Sequence, residues 1–183
     1  MIVFSSVNAQ SKIDEKESAR VFVQKFYDWY GKVYTKQRHI VAHLVVLKHH
    51  PKYLDKELFD ALVADDKAQE KRPREIIGLG FDPFTNDLDA RKGFQTGLAT
   101  QKGDNFFVDI HDIRSGSSKK TVLASKIILT AEVAKMNGHF IFVNFVYPKT
   151  DGYINGYMQD GNNLLSVLDS LRKDRIKQGI EKS

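Results

Sequence analysis

Residues 121–147 read TVLASKIILTAEVAKMNGHFIFVNFVY, and this stretch decides the fold class. Two runs rich in Val, Ile and Phe flank Asn137-Gly138, a dipeptide typical of a two-residue type I′ turn. A turn at this point sets Val133 opposite Phe142 and Ala134 opposite Ile141, so that apolar residues pair across the hairpin. We therefore predict a long, bulged strand before the turn and a further strand, Phe140–Tyr147, after it.

Two more strands precede this hairpin. The segment from Phe94 to Gln101 is followed by a Lys-Gly-Asp turn and then by the segment from Asn105 to Ile113. In the second segment apolar and mixed residues alternate, which predicts one apolar face and one mixed face. The four segments together predict an antiparallel meander.

Helical patterns lie on both sides of the meander. Asp14–Tyr34 carries an apolar stripe at helical spacing, which tyrosines widen into an aromatic ridge. Residues 39–50 fit a short helix or a β segment equally well. Asp55 is a predicted N-cap for a helix that ends near Arg72, and Asn162 or Asn163 is the predicted N-cap of a closing helix. The residues of the first stripe and its ridge are Phe22, Phe26, Trp29, Val33, Tyr27, Tyr30 and Tyr34.

This order predicts an α+β fold in which a curved antiparallel sheet of about four strands is covered by the long N-terminal helix and followed by a C-terminal helix. We expect a single domain over residues 13–178. Residues 179–183 are expected to be a disordered tail, and residues 1–12 a residual export signal or a disordered N-terminus.

Composition excludes several classes of protein. The 183 residues contain 42% hydrophobic and 28% charged residues, which is typical of a globular domain. The absence of Cys excludes disulfides, thiolate metal sites and thiol catalysis. The net charge is +5, but basic and acidic residues are interspersed, so we expect no nucleic-acid partner. No run approaches the ~18 apolar residues of a membrane span, so we expect none.

The N-terminus suggests a compartment. Val7-Asn8-Ala9 before Gln10 has the small-x-small pattern of a signal-peptide cleavage site. We therefore expect a periplasmic, cell-envelope or secreted protein whose signal peptide is truncated in this chain. The alternative is a frayed, polar N-terminus of a cytosolic protein.

Four ordered blocks resemble a known family. They are Phe22–Tyr30, Asp65–Gln69, Gly80–Phe84 and the closing Leu164–Arg175, and they span roughly residues 18–176. Together they resemble a bacterial envelope domain-of-unknown-function family with a nuclear-transport-factor-two-like (cystatin-like) fold. The resemblance implies a cone-shaped α+β fold and an exported protein, but no established activity. The chain departs from the family pattern at Gly80 and in a long Tyr- and Gly-rich loop over 151–163.

One constellation could support catalysis. Asp109 and His111 lie two residues apart on one predicted strand and project to the same side, so the carboxylate could orient the imidazole. Tyr27 or Tyr30 on the covering helix would complete a small acid–base site inside a cone. The alternative is that this strand face is simply the solvent side. An enclosed polar cavity holding Asp109, His111 and Tyr27 would favour an enzyme, whereas a core filled with apolar side chains would count against it.

Metal and cofactor signals are weak. His39 and His43 are one turn apart if their segment is helical, but no glutamate completes a zinc-protease motif. The oxygen-rich loop from Asp82 to Asp89 lacks the spacing of a calcium loop. We expect no metal site and no cofactor.

Further candidates come from single residues. Asp65 and Gln69 fall late in a helix, where acids oppose the helix dipole, so we expect them to tie the helix to the Glu75–Phe84 segment or, alternatively, to bind a ligand. Tyr27, Tyr30 and Asp82 are the other candidate ligand-binding residues. Tyrosines in or beside the 151–163 loop predict either a recognition surface or a loop folded over its own apolar residues. These tyrosines are Tyr147, Tyr153 and Tyr157.

The sequence thus favours a non-enzymatic module that binds a small ligand or a protein partner. The alternative is a small-pocket enzyme, isomerase- or dehydratase-like, that uses Asp, His and Tyr inside the cone. A homodimer formed through the exposed sheet face is a third hypothesis.

Overall fold

The computed structural model describes residues 5–36, 42–49, 51–86, 93–113, 126–148 and 163–182, with side chains from residue 15 to residue 33 in the first range. Within this part of the chain the protein is α+β, with four α-helices and one four-stranded antiparallel sheet. The α+β class and the number of strands are as predicted. In chain order the elements are α1 (Ser5–Lys36), α2 (Ala42–His49), a short 3₁₀ helix (Pro51–Tyr53), α3 (Lys56–Lys71), β1 (Phe94–Lys102), β2 (Asn105–Asp112), β3 (Ile127–Met136), β4 (His139–Val146) and α4 (Leu164–Lys177).

The sheet is a simple meander with the order β1-β2-β3-β4. Asn137 and Gly138 have φ angles of 51° and 81°, the left-handed pair that a type I′ turn requires. Val133 pairs with Phe142, which confirms the predicted register of this hairpin. The described part of β3 begins at Ile127, and residues 121–125, where we predicted its start, lie outside the described residues.

Each pair of neighbouring strands contains an irregularity. Registers shift between Thr96 and Ala99 on β1, between Ile110 and His111 on β2, and between Glu132 and Val133 on β3. A bulge bends its strand and increases the local twist, so these shifts keep the sheet from lying flat.

Both outer strands have their free edges partly covered. Leu54 pairs with Phe142 on β4, and the Asp55 amide donates to the Phe142 carbonyl at 2.8 Å. On β1 the side-chain amide of Gln24 accepts from the Thr96 N–H at 2.8 Å and donates to the Phe94 carbonyl at 3.1 Å. Because an unpaired edge attracts other strands, these contacts also limit unwanted association.

Aromatic side chains fill the core between α1 and the sheet. Phe26 lies at the centre. Its ring centroid is 4.8 Å from that of Phe142, and its ring stacks on Tyr30 at a centroid distance of 5.5 Å. Phe142 in turn stacks on Phe145 at 5.2 Å, and Phe84 contacts Phe145 at 5.1 Å. Such ring pairs add to the free energy of burial, since each aromatic side chain removes a large apolar area from water.

The buried face of α1 differs from the predicted stripe. Phe22, Trp29 and Val33 are only half-buried, whereas Val23, Tyr27 and Tyr30 are fully buried. The tyrosines can lie this deep because their hydroxyl groups find acceptors in the protein.

Helix boundaries follow local signals where capping residues are present. Asp55 caps α3 by accepting from the Glu57 amide, and Asn163 caps α4 by accepting from the Ser166 amide, both as predicted. Helix α1 begins at Ser5 and not at Asp14, because no Gly or Pro interrupts the preceding residues. The ambiguous segment over 39–50 forms a helix in its described part. None of the described helices has the length and apolar character needed to cross a bilayer.

Candidate functional site

The structure does not bring the three candidate catalytic residues together. Phe106, Val108 and Ile110 of β2 point into the core beneath α1, where the Tyr27 ring lies 5.1 Å from Phe94. Alternate residues of a strand point to opposite faces, so Asp109 and His111 project from the other face of the sheet. Asp109, His111 and Tyr27 are therefore not assembled as a single constellation.

Asp109 and His111 do share one face, as predicted. The Thr130 hydroxyl donates to Asp109 Oδ1 at 2.7 Å across the β2–β3 pair. His111 is buried, and its Nε2 would lie 2.9 Å from a Cβ atom added to Gly97. The imidazole thus packs directly against the β1 backbone at its bulge, which explains why glycine occupies that position.

Asp82 lies at the centre of a cluster of buried tyrosines. Tyr30 donates to Asp82 Oδ2 at 2.5 Å, Tyr27 donates to the Phe84 carbonyl at 2.7 Å, and Tyr147 donates to the Pro83 carbonyl at 2.9 Å. Three hydroxyl groups thus hold three consecutive residues of one loop against α1 and the end of β4. All three hydroxyl groups and this carboxylate have protein partners, so the cluster positions the loop, and a ligand role for Tyr27, Tyr30 and Asp82 stays a prediction.

Burial sets the protonation of this cluster. Desolvation raises the pKa of Asp82 to about 6, although the hydrogen bonds from Tyr30 and from the Phe84 amide act in the opposite direction. Burial also raises the pKa of Tyr27 and that of Tyr147 well above the usual value for tyrosine. The Tyr27 and Tyr147 hydroxyl groups therefore remain donors at neutral pH.

Tyr147 does not lie on a recognition surface, which was one of the two predictions for the tyrosines near the 151–163 loop. Its position beside a glycine-rich loop suggested a recognition surface, but it is 2% exposed and packs edge-on against Phe81 at 5.5 Å. The reason is its hydrogen bond to a residue 64 positions earlier, which adjacency in sequence does not reveal. Tyr153 and Tyr157 lie outside the described residues.

Asp65 forms a buried ion pair that the sequence analysis missed. Arg175 Nη1 of α4 donates to Asp65 Oδ1 of α3 at 2.6 Å, and both side chains are almost fully buried. The Leu79 amide donates to Asp65 Oδ2 at 2.8 Å. Burial raises the pKa of Asp65, against the effect of these two donors. A Cβ atom on Gly78 would lie 2.7 Å from Asp65 Oδ2, so only glycine allows this close approach.

Gln69 fastens the same segment from the next turn of α3. Its amide nitrogen donates to the Glu75 carbonyl at 2.6 Å, and its oxygen accepts from the Ile77 and Gly78 amides at 3.1 and 3.2 Å. The expectation that Asp65 and Gln69 tie their helix to the Glu75–Phe84 segment is confirmed. The alternative ligand role for these two residues stays a prediction.

The fastened segment forms one wall of a groove. This groove lies between residues 76–81 and α4, and we call it the α4 groove. Its volume is about 290 Å³. Its apolar side chains are Ile76, Ile77, Leu79, Phe81, Val167 and Leu171. Asp174, Arg175 and Gln178 contribute polar atoms on the α4 side. The groove therefore combines apolar side chains from both walls with polar side chains from the α4 side alone.

The histidine candidates show no ligand cluster. His43 lies in α2, where burial lowers its pKa to about 4, while His39 lies outside the described residues. Among the residues with described positions, no group of three or more His, Asp or Glu side chains could hold a metal ion. In the oxygen-rich loop, Asp87 and Asp89 also fall outside the description, and Asp82 is engaged by Tyr30 and the Phe84 amide.

The position of Arg175 in the apolar stripe of α4 is a sequence signal that could have revealed its role. Arg175 follows Leu164, Leu168 and Leu171 at the i+11, i+7 and i+4 positions, which places a cation on the apolar face of α4. A charge on that face needs a buried partner of opposite sign.

Comparison with known proteins gives no relative: no family model, no curated protein and no solved structure matches the chain. The resemblance to the envelope family therefore rests on the four sequence blocks alone.

Proposed function

We propose that the chain is a non-enzymatic binding module whose α4 groove takes a small, mainly apolar ligand. The observation that carries the proposal is a groove with apolar side chains on both walls, one of which is fixed in place by hydrogen bonds to Asp65 and Gln69. Sites for small ligands are concave, mostly apolar and largely formed before the ligand arrives. A fixed wall also lowers the entropy lost on binding.

Ile76 gives the groove an apolar rim. It is 79% exposed, although the neighbouring Gly78 and Leu79 are fastened to Asp65 and Gln69. A ligand that covers this side chain removes apolar area from water, which contributes roughly 25 cal/mol for each Å² covered. Exposure of Ile76 in the free protein is therefore consistent with a binding role.

Arg175, the buried cation at this groove, has a structural role. The Arg175 guanidinium is committed to Asp65, to the Ile77 carbonyl and to Glu181. An acid–base catalyst needs a proton-transferring group within hydrogen-bond reach of a substrate. Here the buried ion pair maintains the wall of the groove.

The uncharged fluorescent probe N-phenyl-1-naphthylamine tests the proposal. We expect Ile76→Ser to weaken probe binding several-fold, because it removes the apolar rim. Leu98→Ser is the matched control, since Leu98 is 81% exposed on β1 and does not line the groove. Amide chemical-shift changes should cluster at residues 76–81. Equal probe affinity in both variants, or shifts elsewhere only, would contradict the proposal.

We also propose that the protein works in the bacterial envelope and adopts the nuclear-transport-factor-two-like cone. The support is the pattern around Val7–Gln10, the four resembling blocks, and an element order of helices, meander and helix. N-terminal sequencing of the protein from its native cells tests the compartment. A periplasmic form that begins near Gln10 is expected, whereas a cytosolic form that retains Met1 argues against export.

A further inference from the structure

A second groove lies at the tip of the β3–β4 hairpin. We name it the hairpin groove; it has a volume of about 550 Å³ and lies between α1, the 3₁₀ helix and β4. Its apolar lining consists of Phe22, Tyr53, Phe140 and Ile141. All four residues are partly buried, so the protein leaves a part of their apolar area uncovered at one place. The volume falls within the ~300–1,000 Å³ range of small-molecule sites.

The hairpin groove is held in shape by the core. The centroid of the Phe22 ring lies 6.2 Å from that of Tyr53, 6.1 Å from that of Phe140 and 5.0 Å from that of the buried Phe142. Phe140 also packs edge-on against the buried Phe106 at 5.6 Å. These aromatic contacts fix the floor of the groove before any ligand is present.

Backbone pairing fixes the opposite wall. Leu54 pairs with Phe142, and the Asp55 amide donates to the Phe142 carbonyl. These contacts hold the preceding residues, Lys52 and Tyr53, beside the β4 residues that line the groove. The wall that carries Lys52 is therefore held in place by backbone contacts with β4.

The titratable cationic and imidazole side chains that line the hairpin groove are Lys52 and His139. Lys52 is exposed, and its ammonium group lies 5.4 Å from the centroid of the Tyr53 ring. His139 adds an exposed imidazole at the hairpin turn. Among the described lining residues none is acidic. A ligand that fits this lining combines an apolar body with a negatively charged end.

We propose that the hairpin groove binds a single-chain amphiphilic anion such as a fatty-acid carboxylate. The acyl chain lies along Phe22, Phe140 and Ile141, and the carboxylate lies beside Lys52. The site is separate from the α4 groove, so either proposal can fail without the other.

Titration of the full chain with three twelve-carbon ligands tests this assignment. Laurate, dodecanol and dodecyltrimethylammonium differ in head-group charge, and each is kept below its critical micelle concentration. We expect laurate to bind with a 1:1 stoichiometry, about fivefold more tightly than dodecanol, and the cation to bind most weakly. Amide chemical-shift changes for laurate should centre on residues 138–141.

Substitutions separate the charge from the apolar lining. Lys52→Gln should lower laurate affinity about fivefold and leave dodecanol affinity unchanged. Tyr53→Ala should lower the affinity for both ligands. Lys71→Gln is the control, because Lys71 is exposed at the far end of α3 and does not line the groove.

Four results would overturn the proposal. One is equal affinity for the three head groups, and another is equal laurate affinity in the Lys52→Gln and Lys71→Gln variants. A third is laurate-induced shifts confined to residues 76–81, which would assign laurate to the α4 groove. The fourth is binding to phosphatidylglycerol vesicles without binding of free laurate, which would indicate a membrane surface as the partner.

Discussion

Replacing Asp82 by Asn should change how the stability of the protein depends on pH. Asp82 is 8% exposed, and burial raises the pKa of its carboxyl group from 3.8 to about 6. Between these two values the folded state holds a proton that the unfolded state has lost. The contribution of Asp82 to stability is therefore largest below pH 3.8 and is lost as the pH rises through 6.

The size of this effect follows from the shift. Each pKa unit corresponds to about 1.4 kcal/mol, so the displacement from 3.8 to about 6 makes ionised Asp82 cost about 3 kcal/mol of folding stability. About 2 kcal/mol of this change falls between pH 7.5 and pH 4.5. Asn cannot ionise, so the variant should lack this contribution.

His43 acts in the opposite direction over the same range. Burial lowers its pKa from 6.5 to about 4, so the unfolded state takes up a proton first as the pH falls. Its contribution to stability is present above pH 6.5, and about 3 kcal/mol is lost as the pH falls through 4. In the unmodified protein the two groups nearly cancel. In Asp82→Asn only the loss from His43 remains.

Urea unfolding at pH 7.5 and pH 4.5 provides the assay. We expect the free energy of unfolding of Asp82→Asn, measured relative to that of the unmodified protein, to be about 2 kcal/mol lower at pH 4.5 than at pH 7.5. Asp104→Asn, at an exposed turn, is the control and should follow the unmodified protein. The reasoning is refuted if the difference between Asp82→Asn and the unmodified protein is the same at both pH values.

Three further substitutions test contacts that join distant parts of the chain. Arg175→Met should lower the free energy of unfolding by about 3–5 kcal/mol in urea titrations, because it leaves Asp65 buried without its cation. Gly97→Ala should lower the free energy of unfolding by about 1–3 kcal/mol, because the added Cβ atom would meet the His111 ring. Gln24→Leu should cost about 1–3 kcal/mol by leaving backbone groups of β1 unpaired, and faster amide exchange at Thr96 should report the loss.

Matched controls keep these three results interpretable. Lys173→Met changes an exposed cation of the same helix and should cost less than about 1 kcal/mol. Gly31→Ala adds a Cβ atom at an ordinary distance of 3.7 Å from Phe94 within α1, and should stabilise by up to about 1 kcal/mol. A loss in Arg175→Met no larger than in Lys173→Met, or equal effects of the two glycine substitutions, would contradict the assigned contacts. Unchanged exchange at Thr96 in Gln24→Leu would do the same for the β1 edge.

The parts of the fold that depend on neighbouring residues could be predicted from the sequence. Asn137-Gly138 determines its own turn, because few other residue pairs adopt two positive φ angles, and the turn then sets the register of Val133 against Phe142. The caps at Asp55 and Asn163 act within three residues. Residues 39–50 lack such a signal, so their short helix could not be distinguished from a strand by pattern alone.

The candidate site depends on partners that are far apart in sequence. The loop at Asp82 is held by tyrosines from the first helix and from the end of the fourth strand, which are 52 and 64 residues away from the groups they bind. Spacing along one strand correctly placed Asp109 and His111 on one face. It could not show that the Tyr27 ring lies on the opposite side of the sheet, since that depends on how α1 packs.

Polar residues on apolar stripes indicate such distant pairs. Asp65 follows Leu58 and Leu62 at helical spacing on α3, and Arg175 follows Leu171 on α4, so both apolar faces carry a charge. An unpaired buried charge is too costly to retain, and two such faces of opposite sign in one domain satisfy each other if the helices pack together. Here they do, at 2.6 Å, and the same carboxylate accepts from Leu79. One complementary pair therefore both joins two helices and fixes the wall of the α4 groove, so its loss should weaken both the packing of this region and the ligand binding that we propose for the groove.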